Sequence, residues 1–350
     1  MIFAYIIALV FLTIFSFGFI DANFSVKILP AVFEFIHSNR PLATYLYVGA
    51  VTYLFIFYFW ILRQNRNIWK LIFISCAILF FSFPAFSYDI FNYMATAKVA
   101  YLYKENPYVV MPIEFPNEPM LSFLHAANKV ALYGPTWIAL TYIPHIISGG
   151  NILVSIWAFK ALAAIFYLGV CWILWKLGGN SALAFFALNP LVITETLVSG
   201  HNDIVMMFFG LLAFYFAKAK RWWLGLFVLV LSIFVKGATI ILLPLYFLNI
   251  PWNKKWLWAA AGMFIVFLLT PLREELYPWY FIWPLTFIAL LSNTHILRYL
   301  SYGFSIGLPL RFAPFIYYGD WSGVVPIIKK IVSSLPPALA LFFYAKKRNR

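Results

Sequence analysis

The stretch Phe86-Ser87-Tyr88-Asp89-Ile90-Phe91-Asn92-Tyr93 carries a carboxylate to the end of a hydrophobic run that covers about residues 69–86. A carboxylate at a bilayer edge, among Phe86, Tyr88, Phe91 and Tyr93, suits an amphiphilic substrate with its tail in lipid and its head in water. Placed against a hydroxyl, Asp89 can act as a general base, a role that contributes roughly a hundred- to ten-thousand-fold in rate. It can also cap the amphipathic run that follows it, and the two roles are compatible.

Further polar groups interrupt apolar runs. Gly200-His201-Asn202-Asp203 must be paired or wet, because an ionisable group facing lipid is costly. His201 and Asp203 read either as binders of substrate hydroxyls, with Asp203 a second acid, or as a hairpin in which Asp203 caps the next helix. Two ligands at near-adjacent positions with no third make a poor metal site, so no metal is assigned. Glu195 lies inside an apolar run about two helical turns before His201, where it shares a cavity wall or makes an interhelix hydrogen bond. Lys236 divides two apolar half-helices beside Gly237, as a point charge suited to a lipid-linked phosphate or as a snorkelling lysine. Arg273, next to Glu274 and Glu275, offers a second cation. Tyr277-Pro278-Trp279-Tyr280 with Trp283 is an interfacial belt or a stacking surface for sugar or lipid.

Positioning these residues falls to helices in a membrane. The chain of 350 residues is 64% hydrophobic, with a mean hydropathy of +0.89, far above a soluble domain. Basic residues outnumber acidic ones 25 to 11, a net charge of +14. The basic residues sit in short loops between apolar runs, where they orient helices and meet anionic lipid, so a nucleic-acid partner is set aside. Cys76 and Cys171 lie in different apolar runs and read as small apolar residues. The first run lacks a basic leader and a small-residue cleavage site and is expected to be a retained helix.

With about 20 apolar residues needed per crossing, candidate spans fall at about 2–20, 42–62, 69–86, 152–175, 181–199, 203–217, 222–235, 238–249, 256–271, 279–291, 297–312 and 323–345, roughly twelve in an all-α polytopic bundle. The loops Arg63-Gln64-Asn65-Arg66 with Lys70, Lys218-Ala219-Lys220-Arg221, Lys254-Lys255 and the basic tail from Lys346 to Arg350 then share a cytoplasmic face with both termini. Asp89, Glu105, Glu114, Glu118, Asp203, Glu274, Glu275 and Asp320 fall outside. Residues 87–150 are expected to form one outer loop, with helices near 89–104, 119–131 and 136–148 and a turn at Asn106-Pro107-Tyr108. Residues 21–41, with Asp21, Lys27, Glu34 and Arg40, read as a smaller element of the same kind. A single domain over 1–350 is expected, with 87–150 its catalytic loop, and the oligomeric state is left open.

The order of Ser87-Tyr88-Asp89, Asn106-Pro107-Tyr108, Tyr133-Gly134-Pro135, Asn189-Pro190-Leu191, Gly200-His201-Asn202-Asp203, Val235-Lys236-Gly237-Ala238 and Tyr277-Pro278-Trp279-Tyr280 resembles the GT-C fold glycosyltransferases. Within them it is most similar to polyprenol-phosphate-mannose-dependent mannosyltransferases, over roughly residues 80–290. It departs in having Tyr133-Gly134-Pro135 for the usual Tyr-Pro-Pro and Lys236-Gly237 for Lys-Pro. The resemblance implies an inverting transfer of a hexose, mannose by expectation, from a polyprenyl-phosphate donor to a lipid-linked or membrane-proximal glycan or glycolipid. It makes Asp89 the base; the reading of the residues adds Lys236, His201, Asn202, Asp203, Glu195, Arg273, Tyr88, Tyr280 and Trp279 as the candidates for binding substrate. No cofactor is expected, since a phosphate leaving group would already be activated and could be stabilised by Lys236 and Arg273. It implies a multi-pass plasma-membrane enzyme whose site opens on the extracytoplasmic side among membrane lipids.

The rival reading is a transporter or flippase of lipid-linked sugars, whose charges would line a route across the midplane instead of gathering on one side. A non-catalytic membrane subunit would leave the polar clusters without a shared cavity.

Overall fold

The structure, a computed structural model, describes residues 1–24, 28–64, 66–293 and 295–348. Lys27, Asn65, Asn349 and Arg350 lie outside the described residues. Among those described the chain is helical, with no strand, as an apolar medium requires of backbone groups that have no water to bond.

The first long helices are α1 (Ile2–Ser16), α2 (Pro30–Ser38), α3 (Arg40–Gln64) and α4 (Ile68–Leu79). Polar side chains in them find partners inside the bundle. Tyr5 and Ser75 hydroxyls meet at 2.7 Å between α1 and α4, and the Tyr47 hydroxyl of α3 donates to the Pro309 carbonyl at 2.8 Å. The turn after α4 is fixed from two sides. Ser16 Oγ accepts the Phe83 N–H at 2.8 Å. The buried Lys160 ammonium donates to Leu79 O, the last carbonyl of α4, at 2.9 Å, and in the turn itself to Ser82 Oγ at 2.7 Å and to Ser82 O. The chain leaves that turn into α5 (Asp89–Ala97), which continues as a wider π-type turn over Lys98–Leu102.

The stretch 103–134 departs from expectation. The helix near 119–131 is only a 3-10 turn, Pro119–Phe123. The Ile113 N–H donates to Ala127 O at 3.0 Å and the Ala131 N–H to Pro107 O at 2.7 Å, so these backbone groups are committed across the loop and not along a helix. Glu118 gathers the Lys98 ammonium at 2.6 Å and the Tyr103 hydroxyl at 2.9 Å. The other two expected elements are present, the third as α6 (Pro135–Ser148).

Next come α7 (Ile152–Ala187), α8 (Pro190–Ile193), α9 (Asp203–Lys218), α10 (Trp222–Ile233), α11 (Leu242–Phe247), α12 (Trp252–Leu269), α13 (Ile282–Ile288), α14 (Ile296–Leu310), α15 (Phe312–Tyr318) and α16 (Val325–Arg348). Gly179, at φ 67° and ψ −163°, breaks α7. Each expected span contains a helix, but five among the described residues are long and apolar enough to cross a membrane: Ile2–Phe19, Arg40–Gln64, Ile152–Ala187, Trp252–Leu272 and Val325–Lys347. The pair Pro190–Val198 and Asp203–Lys218, bent by 114°, makes a sixth if counted as one span. The expected count of about twelve is not reached by this measure, because other expected spans hold only shorter helices, such as Ile68–Leu79, Trp222–Ile233 and Gly237–Phe247, and Asn189-Pro190 divides the span expected at 181–199.

The loop between α5 and α7 is stapled to the end of α10. The Gly134 and Thr136 N–H groups donate to Val235 O and Phe234 O, each at 3.0 Å. A Cβ on Gly134 would lie 2.1 Å from the Phe234 carbonyl oxygen. Gly134→Ala is therefore expected to destabilise the protein by about 1–3 kcal/mol and to lower its unfolding temperature in detergent. An unchanged unfolding temperature would show that this staple does not hold the loop.

Candidate functional site

Asp89 opens α5, but its side chain makes no capping bond; the position is set by its own N–H, which donates to Ser87 Oγ at 3.2 Å. The carboxylate faces the imidazole of His201, with Oδ2 3.4 Å from Nδ1. On the other edge of the same ring, Glu195 Oε2 lies 3.3 Å from Nε2. Neither contact has the alignment of a hydrogen bond, so the contacts are electrostatic. The imidazole is fully buried and stacks on Trp279 at 4.1 Å and 19°, and Trp279 stacks on Tyr277 at 4.4 Å and 8°.

Two local devices put His201 between the acids. Glu195 sits in a π-type turn, Thr194–Val198, closed by the Ser199 N–H on Thr194 O at 3.0 Å; such single wide turns often occur at functional sites. Gly200 then takes φ +73°, which a side chain would resist, and the chain turns sharply into α9. Asn202 is fully buried; its N–H donates to the Tyr93 hydroxyl at 3.2 Å, while its amide has no hydrogen-bond partner among the described residues.

Burial pushes the Asp89 carboxyl up, but His201 against it, with Lys236 and Asn92 adding smaller contributions, holds it below its usual value. Asp89 is thus ionised at neutral pH, and its side chain keeps 26% exposure.

Asp203 and Lys236 form a second centre. The ammonium lies 3.1 and 3.2 Å from the two carboxylate oxygens, and the Trp283 indole N–H donates to Asp203 Oδ1 at 2.6 Å. Lys236 also sits over the rings of Tyr280 at 4.7 Å and Trp283 at 5.8 Å. The helix does break here, with Lys236 extended between α10 and a 3-10 turn, Gly237–Ile241.

A cavity of about 660 Å³ adjoins the first centre. Of the residues singled out from sequence, Asp89, Tyr88, Glu195 and Trp279 line it; His201, Asn202, Asp203, Lys236, Tyr280 and Arg273 do not. His201 stands directly behind that wall, against Asp89, Glu195 and Trp279. Lys236 already holds a buried carboxylate. Arg273 is exposed and outside the cavity. Tyr280 donates to Glu274 Oε2 at 2.5 Å. Tyr88 stacks on His125 at 4.0 Å and 15°, and both line the cavity.

Sequence reasoning missed the cavity's own cations, Arg311 and Lys329, and gave Arg40 no role in a site. Arg311 and Lys329 lie inside two of the expected spans, and a basic residue in a span is itself a signal. Among the described residues no three His, Cys, Asp or Glu side chains are arranged to hold a metal ion.

The second centre gives a direct test. Lys236→Met leaves the buried Asp203 carboxylate without its cation and is expected to cost about 3–5 kcal/mol; adding Asp203→Asn removes the uncompensated charge and should restore much of the loss. If thermal unfolding shows Lys236→Met to be as stable as the parent protein, this ion pair is not structural.

A comparison with known families matches the description "Alpha-(1->6)-mannopyranosyltransferase, N-terminal domain", of the MptA_B family, over residues 5–251. No curated protein and no solved structure matches the chain. The matched stretch runs from α1 to just before α12 and contains Asp89, Glu195, His201, Asp203 and Lys236. A helical, apolar chain that matches this model over more than half its length belongs to the MptA_B family of mannosyltransferases, in keeping with a glycosyltransferase of the GT-C type.

Proposed function

We propose that the chain transfers a mannosyl unit from a polyprenyl-phosphate donor to a hydroxyl of a lipid-linked or membrane-proximal glycan, with inversion and with Asp89 as the base. One observation carries this reading: an ionised carboxylate, braced from behind by a buried imidazole, opens onto a cavity with both polar and aromatic walls. The acceptor O–H gives its proton to an Asp89 oxygen as the acceptor oxygen bonds to the anomeric carbon. The bond from that carbon to the phosphate oxygen breaks, and its electron pair leaves on the phosphate. A single displacement of this kind inverts the anomeric centre. The family description, which names an alpha-(1->6) transfer, supports an α-(1→6) linkage in this reading.

Glu195 and His201 are positioning residues in this scheme, with the ring held between two acids so that Asp89 keeps one orientation. Trp279 and Tyr88 offer flat faces to sugar rings. Asp203, with Lys236, fixes the start of α9, next to His201 and Asn202. We place the enzyme in the plasma membrane, multi-pass, with its cavity on the extracytoplasmic side and both termini in the cytoplasm; the recurrent basic loops around Arg66, Lys220 and Lys254 support this orientation.

Asp89→Asn keeps size and polarity but accepts no proton, so mannosyl transfer from a radiolabelled polyprenyl-phosphate donor should fall roughly a hundredfold or more at unchanged donor binding. Near-normal turnover per folded molecule would remove Asp89 from the chemistry.

The pH profile is a separate check. A carboxyl with a lowered pKa is in its basic form above that pKa and loses it only as pH falls through it, so Asp89 adds no acid limb between about pH 5 and 8. An acid limb in that range that Asp89→Glu displaces would show that Asp89 is instead protonated near neutrality.

A further inference from the structure

Three cations face the cavity on a wall that the chemistry above does not use. Arg311, at the junction of α14 and α15, and Lys329, on α16, converge on Glu275. The Arg311 guanidinium lies 2.5 Å from Glu275 Oε2, and the Lys329 ammonium lies 2.9 and 2.7 Å from the two carboxylate oxygens. The cations are largely buried, at 7% and 10% side-chain exposure, whereas Glu275 is 46% exposed. Arg311 also donates to the Leu276 carbonyl, and Lys329 sits 5.0 Å over the Trp321 ring, so both heads are aimed from fixed positions. Arg40 lines the same cavity, packs its guanidinium against Gly319 and makes no ion pair among the described residues.

Arg311 and Lys329 share one half-exposed carboxylate, while Arg40, in no ion pair among the described residues, has Asp320 as its nearby acid. One positive charge in excess where two buried cations meet calls for an anion. A carboxylate bridging an arginine and a lysine occupies the place that two oxygens of a tetrahedral phosphate would take. Phe312, Phe315 and Trp321 line the cavity beside these cations and give an apolar chain a surface to lie on.

The geometry points to Arg40, Arg311 and Lys329 as an anion subsite for the phosphate of a prenyl phosphate, with Glu275 as a placeholder carboxylate that turns outward when the phosphate enters. The assignment rests on the donor class proposed above and moves the phosphate from Lys236, whose charge Asp203 already consumes, to the opposite group of cations. A phosphodiester donor carries about one negative charge and the departing monoester up to about two. With Glu275 turned outward, Arg311 and Lys329 therefore favour the leaving phosphate over the bound donor, which is the direction that speeds transfer.

The test measures binding of farnesyl phosphate to the purified full chain in detergent, with inorganic phosphate and phosphatidylglycerol vesicles as competitors. Lys329→Met and Arg40→Met should each weaken binding roughly tenfold or more, as loss of a charge-assisted bond does. Lys329→Arg should retain it. Glu275→Gln should tighten binding, because the placeholder no longer competes; a merely structural ion pair would not produce this opposite sign. Glu275→Gln weakening binding like the lysine variant, or Lys329→Met binding normally while folded, overturns the subsite. Inorganic phosphate or phosphatidylglycerol displacing farnesyl phosphate at equal concentration also overturns it, since the prenyl chain would then contribute nothing. If these variants bind normally while Asp89→Asn still abolishes transfer, the subsite fails and the mannosyl-transfer reading stands; if farnesyl phosphate does not bind the parent protein at all, the donor class itself fails.

Discussion

The structure depends on how a carboxylate survives inside an apolar bundle. Desolvating an ion costs several kcal/mol even after relaxation, and two opposite charges about 4 Å apart recover about 4 kcal/mol at an effective dielectric constant near 20, so each buried acid needs a cation or imidazole in contact. Besides Glu118–Lys98, three charge groups of this kind occur among the described residues, at Asp89–His201–Glu195, at Asp203–Lys236 and at the half-exposed Glu275 with Arg311 and Lys329. Each group joins elements far apart in sequence. The charge groups therefore tie α5, α8, α9, α14 and α16 around one cavity, where hydrophobic packing alone would not fix a register.

The fold class and the main site were legible because they rest on local signals. A carboxylate at the end of an apolar run and a Gly-His-Asn-Asp break are visible in sequence, and Asp89, Glu195 and His201 do meet. What sequence could not supply is which charges pair. Lys236 reads equally well as a phosphate ligand or a structural cation until Asp203 is seen against it. Arg273 stood close to Glu275, yet the cations that reach Glu275 come from Arg311 and Lys329, and neighbours in sequence at a loop point different ways. Lys160 was passed over as part of an apolar span, although its ammonium holds the turn that leads to Asp89. The span expected at 181–199 runs through Asn189-Pro190, where α7 ends and α8 begins, and composition alone counts short apolar helices such as Trp222–Ile233 as crossings.

The family match ends at residue 251, so it covers Asp89 and the imidazole behind it but not Trp279, Glu275, Arg311 or Lys329. The cavity is thus walled on one side by residues inside the matched stretch and on the other by the last third of the chain. The shared part supplies the proposed base, Asp89, and the imidazole behind it. The remainder supplies the aromatic stack and the cations, which in the proposed reading are suited to select the donor's phosphate and sugar.

The most direct test of the account is a cryo-electron microscopy structure of the protein with a non-hydrolysable prenyl-phosphonate mannose analogue bound. The account predicts the sugar in the cavity beside Trp279, its anomeric carbon facing Asp89 and its phosphonate on the opposite side, toward Arg311 and Lys329. A sugar bound outside this cavity, or Asp89 on the same side of the anomeric carbon as the phosphonate, would contradict it.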